Sequence, residues 1–254
     1  MRKYPHKPDE GSLREALQWC LGQYKGTMEG TKAALLERKV SFFKMGCEEV
    51  LELAYITYAF EEPLQQVRQH LNVACGLAER AVELGTKLDP VLYVKYLSLA
   101  IICRQEGFRK MLEGLQRHQY TNTNIEADEI FYMAAEAMAA LSADKADTAR
   151  DITARALARA RSKEVDKLAR AVMEPVLMLE AAIADRDAHG LASAVKAQHE
   201  RHRANYSPKS ARNAPSGLLD VRTVGMLALA RKHGLPADPS NVYTPLELLS
   251  EETA

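Results

Sequence analysis

The residues best placed to do chemistry in this 254-residue chain are His199-Glu200-Arg201-His202-Arg203. Side chains three apart share a helix face, so two imidazoles at this spacing could close on a metal ion. The spacing is not that of the His-Glu-x-x-His zinc helix, however, and Arg201 and Arg203 would repel a cation. The segment therefore reads as a solvated basic helix end. Cys20, Cys47, Cys75 and Cys103 follow one another at intervals of 27, 28 and 28 residues, one to each of four apparent helices. Zinc sites pair their cysteines far more closely, so these read as reduced core residues that behave as small apolar side chains. No carboxylate pair, phosphate-cradling glycine loop or Ser, His and Asp set stands at motif spacing. The chain is expected to carry no catalytic residues, no cofactor and no metal, and not to be an enzyme.

Two groups of like charge are candidates for binding instead. Arg150, Arg155, Arg159, Arg161, Lys163, Lys167 and Arg170 form a basic stripe. Aromatic residues are missing between these charges, and the chain carries 34 basic against 34 acidic side chains, which argues against direct nucleic-acid binding. A solvated helix face is expected there. Glu48, Glu49 and Glu52, continuing to Glu61 and Glu62, gather the opposite charge, with a further acidic end at Glu247, Glu251 and Glu252. An acidic patch of this kind would steer the chain onto a basic partner, and the five glutamates are the candidate partner-binding residues.

Helices must position all of these groups. Ser12 with Glu15 has the form of a capping box, and Leu13, Leu17, Cys20, Leu21 and Tyr24 recur on one face. Met28 to Phe43 reads as a second helix and Gly46 to Phe60 as its continuation or a third, and Pro63 opens another that Gly85 stops. Asp89 and Pro90 make an N-cap and first-turn pair for a helix apolar around most of its circumference, expected to be central. Phe108 to Tyr120 follows. Thr121-Asn122-Thr123-Asn124 is a polar hinge and the best internal boundary. Beyond it, alanines from Ala134 to Ala140 and from Ala154 to Ala160 predict closely packed helices. Two more follow, about Lys163 to Arg186, with Pro175 inside, and Ala188 to Asn205, before a polar loop through Pro208 and Pro215.

The most strongly punctuated stretch is C-terminal. Gly217-Leu218-Leu219-Asp220 leads into a helix with Asp220 at its N-cap and Leu219 and Val224 at staple positions. Lys232 and His233 complement its carbonyl end, Gly234 suits a left-handed cap, and Pro236 prevents continuation. In Tyr243-Thr244-Pro245-Leu246-Glu247, Thr244 and Glu247 form a second capping box for a short closing helix. These segments resemble the C-terminal signature of the immunity protein 49 family, helical antitoxins of bacterial polymorphic toxin systems. Gly217, Leu219, Asp220, Gly234, Tyr243 and Pro245 are the residues that match, and each is expected to serve the fold. Thr244 departs from the family's tail, which tends to read Tyr-Leu-Pro. The resemblance implies a non-enzymatic protein that binds a cognate protein toxin and covers its surface; an irregular helical scaffold or adaptor is the alternative.

Length and composition agree with a helical fold. Hydrophobic residues make up 47% and charged residues 27%, and ten prolines with thirteen glycines are too few for a chain of many tight β-turns. The expectation is an all-α domain over 1–254, an irregular bundle or stacked helix pairs of about ten helices, with a subdivision near 121–124. With no signal-like leader and no apolar run approaching about 18 residues, no membrane contact is expected, and the chain is placed in the cytoplasm.

Overall fold

The computed structural model describes residues 1–119, 129–236 and 241–249. Among them are ten α-helices, three short 3-10 turns and no strand, so the chain is all-α, as its composition predicts. The chain divides into two compact units. One comprises Met1–Thr86, His202–Asp220 and Ser240–Ala254, and the other Lys87–Arg201 and Val221–Pro239. The hinge expected at Thr121 to Asn124 lies outside the described residues.

In the first unit α1 (Glu10–Ala33), α2 (Leu36–Ala59) and α3 (Leu64–Glu83) pack in sequence, α2 against both neighbours. Asp9, not Ser12, is the N-cap of α1. Its carboxylate accepts from the Ser12 amide at 2.8 Å and the Ser12 hydroxyl at 2.9 Å, and its charge suits the positive end of the helix. The buried seam of α1 alternates steps of three and four through Leu13, Cys20, Thr27 and Thr31, with Leu17 and Tyr24 half-buried between them. Leu21, expected on this face, is 44% exposed, because it stands one residue beyond the seam. The break expected before Met28 does not occur. Gly22, Gly26 and Gly30 cost the helix about 1 kcal/mol each, yet packing against α2 carries α1 through them to an extended pair at Ala34 and Leu35. The four-residue 3-10 turn Leu246–Leu249, which packs on α3, stands where a short closing helix was expected.

The second unit contains α4 (Pro90–Ile102), α5 (Glu106–Glu113), α6 (Glu129–Ser142), α7 (Ala146–Ala160), α8 (Lys167–Asp185), α9 (Ala188–Tyr206) through Arg201, and α10 (Val221–Lys232). Asp89 caps α4 by accepting from the Leu92 amide, and most of α4 is buried, as its uniform apolarity predicts. It touches α5, α6 and α10. Helices α6, α7 and α8 share a core of Ile130, Met133, Ala137, Ile152, Ala156 and Val176, among others. The alanines sort by face: Ala134, Ala137, Ala156 and Ala160 are buried at the crossings, whereas Ala154 and Ala158 are exposed. Helix α5 stops at Glu113, well before the expected end, and α8 continues through Pro175.

Several helix ends share one device. Leu235 and Gly234 donate to the Ala230 and Arg231 carbonyls, with Gly234 at φ +80, and Thr86 and Gly85 close α3 in the same way. Glu61, Arg104, Asp144 and Arg186 adopt the same left-handed conformation without being glycine, which is why these ends are invisible to a search for glycine stops. Among the described residues no helix is long and apolar enough to cross a membrane.

Candidate functional site

Within the first unit the signature residues close on a buried cluster of rings. The Asp220 amide donates to the Tyr243 carbonyl at 2.8 Å, tying the tail to the start of the signature. The Tyr243 ring is buried, 4.7 Å from the His202 ring, and its hydroxyl lies 3.0 Å from His6 Nδ1. His202, on the last turn of α9, sends Nε2 to the Gly217 carbonyl at 3.1 Å. A carbonyl only accepts, so Nε2 carries the proton. The Asp220 carboxylate stands 3.6 Å from the other ring nitrogen. Tyr206 lies 4.9 Å from His202 and donates to the Ser216 hydroxyl, and a Cβ at Gly217 would fall 2.7 Å from the Tyr206 ring. Glycine at 217 is therefore required by the approach of that ring. Leu219 and Pro245 are buried beside these groups in the chain.

His202 is thus a core residue and not part of a solvated helix end. The reason is that Gly217, Asp220 and Tyr243 reach it from 15 and more positions along the chain, beyond any local pattern. Tyr4 and His6 were hidden in the same way within a polar leader. The only signal was ring residues among prolines, which has no period. Burial, helped by the electrostatic influence of His202 and Arg212, lowers the His6 pKa from 6.5 to about 4. Its Nε2 has no hydrogen-bond partner among the described residues.

The other half of the signature works in the second unit. Lys232 and His233 do not simply complement their own helix. Lys232 donates to the Ser142 carbonyl at 2.7 Å and pairs with Asp144 at 2.8 Å, while His233 Nε2 donates to the Leu141 carbonyl at 2.9 Å. Arg109 of α5 donates to the same Ser142 carbonyl at 2.6 Å. Three cationic or imidazole groups thereby converge on the carbonyl end of α6, where the helix dipole is negative. The Lys232 hydrogen bond and charge hold the Asp144 carboxyl below its ordinary range. Also in this unit, Glu180 of α8 is fully buried without a hydrogen-bond partner among the described residues. Burial pushes its pKa well above the usual carboxylate range, partly opposed by Arg222.

The five candidate glutamates do not gather into one exposed patch. Glu49 is buried and accepts from the Thr27 hydroxyl at 3.0 Å, with burial raising its pKa. Glu52 accepts from the Cys20 thiol at 3.2 Å, so both face α1. Glu48 is half-buried, and Glu61 and Glu62 are exposed beyond the end of α2. None of the four cysteines is in a disulfide, and burial with the Glu52 contact pushes the Cys20 thiol up to about 12, away from nucleophilic use. Much of the basic stripe is matched by carboxylates: Arg150 with Asp147 and Asp185, Arg155 with Asp151, Arg159 with Glu164, and Arg161 with Glu174. Among the described residues no three His, Cys, Asp or Glu side chains come together in a way that could hold a metal ion.

Fold and cluster together define an all-α protein whose signature polar groups fasten its own segments. The chain belongs to the immunity protein 49 family, whose model matches residues 47–248. No curated protein and no solved structure is found that matches the chain.

Proposed function

We propose that this chain is a non-enzymatic antitoxin that binds a cognate protein toxin in the cytoplasm and neutralises it by covering its surface. Family membership across residues 47–248 carries the reading. The internal use of the polar groups supports it: the histidines of the ring cluster, Lys232 and His233 bind backbone and neighbouring side chains, and Arg150, Arg155, Arg159 and Arg161 of the basic stripe bind carboxylates. Such residues fasten each unit internally and leave the remaining surface to serve recognition, and stripe arginines paired with carboxylates are poorly suited to hold a phosphate backbone.

Inhibition by occlusion is stoichiometric. In cells expressing the toxin domain encoded beside this chain, growth should recover as the antitoxin reaches about one copy per toxin, and the complex should bury about 1,200 to 2,000 Å². Unprotected growth with a well-expressed, folded antitoxin would refute neutralisation. Protection at a small fraction of the toxin's amount would point to turnover.

A further inference from the structure

The family match begins at residue 47, so all of α1 and the first part of α2 lie outside it. This segment has its own surface chemistry. At the turn between α1 and α2, Gly30, Ala34, Leu35, Arg38 and Phe42 line an open groove of about 380 Å³. Gly30 helps shape it, because a Cβ there would lie 3.2 Å from the Phe42 ring, which rests against the bare backbone of α1. Leu35 at the groove's edge is 77% exposed. Around it the sequence from 25 to 45 places five cations, Lys25, Lys32, Arg38, Lys39 and Lys44, against two carboxylates, Glu29 and Glu37, in a chain of zero net charge. Lys25, Lys32 and Arg38 are exposed. Several arginines elsewhere are matched to carboxylates, as in Arg14 with Glu10 or Arg80 with Glu83, but these tip cations form no ion pair among the described residues.

We propose that the α1–α2 tip is the toxin-docking site, taking an acidic segment of the toxin that places an apolar side chain in the groove between Leu35 and Phe42. This deepens, and rests on, the antitoxin reading. Cations that form no ion pair among the described residues, set around an apolar slot, complement a partner with carboxylates flanking an apolar anchor, and such charges speed encounter and reject wrong partners. A second copy of this chain is the wrong occupant, because a symmetric contact would set one basic tip against another. Placement outside the matched region fits specificity, since discrimination among related toxins must come from what family members do not share.

The test is calorimetric titration of the purified full chain with the toxin domain encoded beside it, at low and high salt. Leu35→Ser removes the exposed side chain while leaving a competent N-cap on α2, and Arg38→Glu with Lys39→Glu reverses the rim charge without touching the core. Each is expected to weaken binding by at least about tenfold, with wild-type affinity falling as salt rises, while Arg155→Glu on α7 leaves it unchanged. Helical circular dichroism should be the same in all variants. If the wild type binds and the tip variants bind equally well, docking is elsewhere and the antitoxin reading stands. If the wild type does not bind, both fail. Tight binding of a fluorescein-labelled RNA that Arg38→Glu abolishes would overturn the proposal in favour of a nucleic-acid site.

Discussion

Lowering the pH from 7 to 5 should cost the fold about 2 kcal/mol through His6 alone. The ring is 4% exposed, and its pKa falls from 6.5 to about 4, chiefly through burial and then through the electrostatic influence of His202 and Arg212. Between those values the unfolded chain binds a proton that the folded chain refuses. Stability is therefore full above pH 6.5 and declines as pH falls toward 4, by about 1.4 kcal/mol per pH unit in the steep part of the window. Glu49 and Glu180 act with the opposite sign, because a raised carboxyl pKa makes the folded state the better proton binder as acid is added. A His6→Phe variant separates the two effects. Phenylalanine keeps a ring beside Tyr4, Tyr206 and Tyr243 but cannot titrate, and both glutamates remain. At pH 7 the variant should be less stable by about 1 to 3 kcal/mol, because the Tyr243 hydroxyl loses its buried partner. Urea unfolding at pH 7, 6 and 5 should show that gap narrowing by about 2 kcal/mol as pH falls. Parallel pH dependences of the two proteins would refute the reasoning, since they would mean that His6 protonates as readily folded as unfolded.

Gly225→Ala should destabilise the protein by about 1 to 2 kcal/mol and lower its melting temperature. The new Cβ would lie 2.8 Å from the Ser98 Cβ and 2.9 Å from its Cα at the α10–α4 crossing, and overpacking outweighs the gain of about 1 kcal/mol in helix propensity; an unchanged or raised melting temperature would contradict this. Ending the chain after Gly234 should cause aggregation or a much lower melting temperature, because Tyr243, Leu246 and Leu248 are 2%, 6% and 4% exposed and contribute on the order of 1.5 to 3 kcal/mol each. A truncated chain that melts with the full one would show that the tail lies outside the core.

The helical class, the capping of α4 by Asp89 and the left-handed stop at Gly234 were all legible in the residues, because each depends on neighbours within a turn or two of helix. The same locality explains the misses. Ser12 and Asp9 are both competent caps, and no local rule ranks them; the helix ends at Arg104, Asp144 and Arg186 use a left-handed conformation that their side chains disfavour. The roles of the charged and ring residues were decided by tertiary structure alone. Lys232 and His233 looked like complements to their own helix until α6 ended beside them, and His202 looked solvated until Gly217, Asp220 and Tyr243 enclosed it. Glu49 and Glu52 counted as surface charge until the Thr27 and Cys20 positions on α1 met them. Helix formation is fixed by interactions a few residues apart, which sequence carries directly. The exposure of a polar side chain depends on what folds against it from far along the chain, and that is known only once the helices have packed.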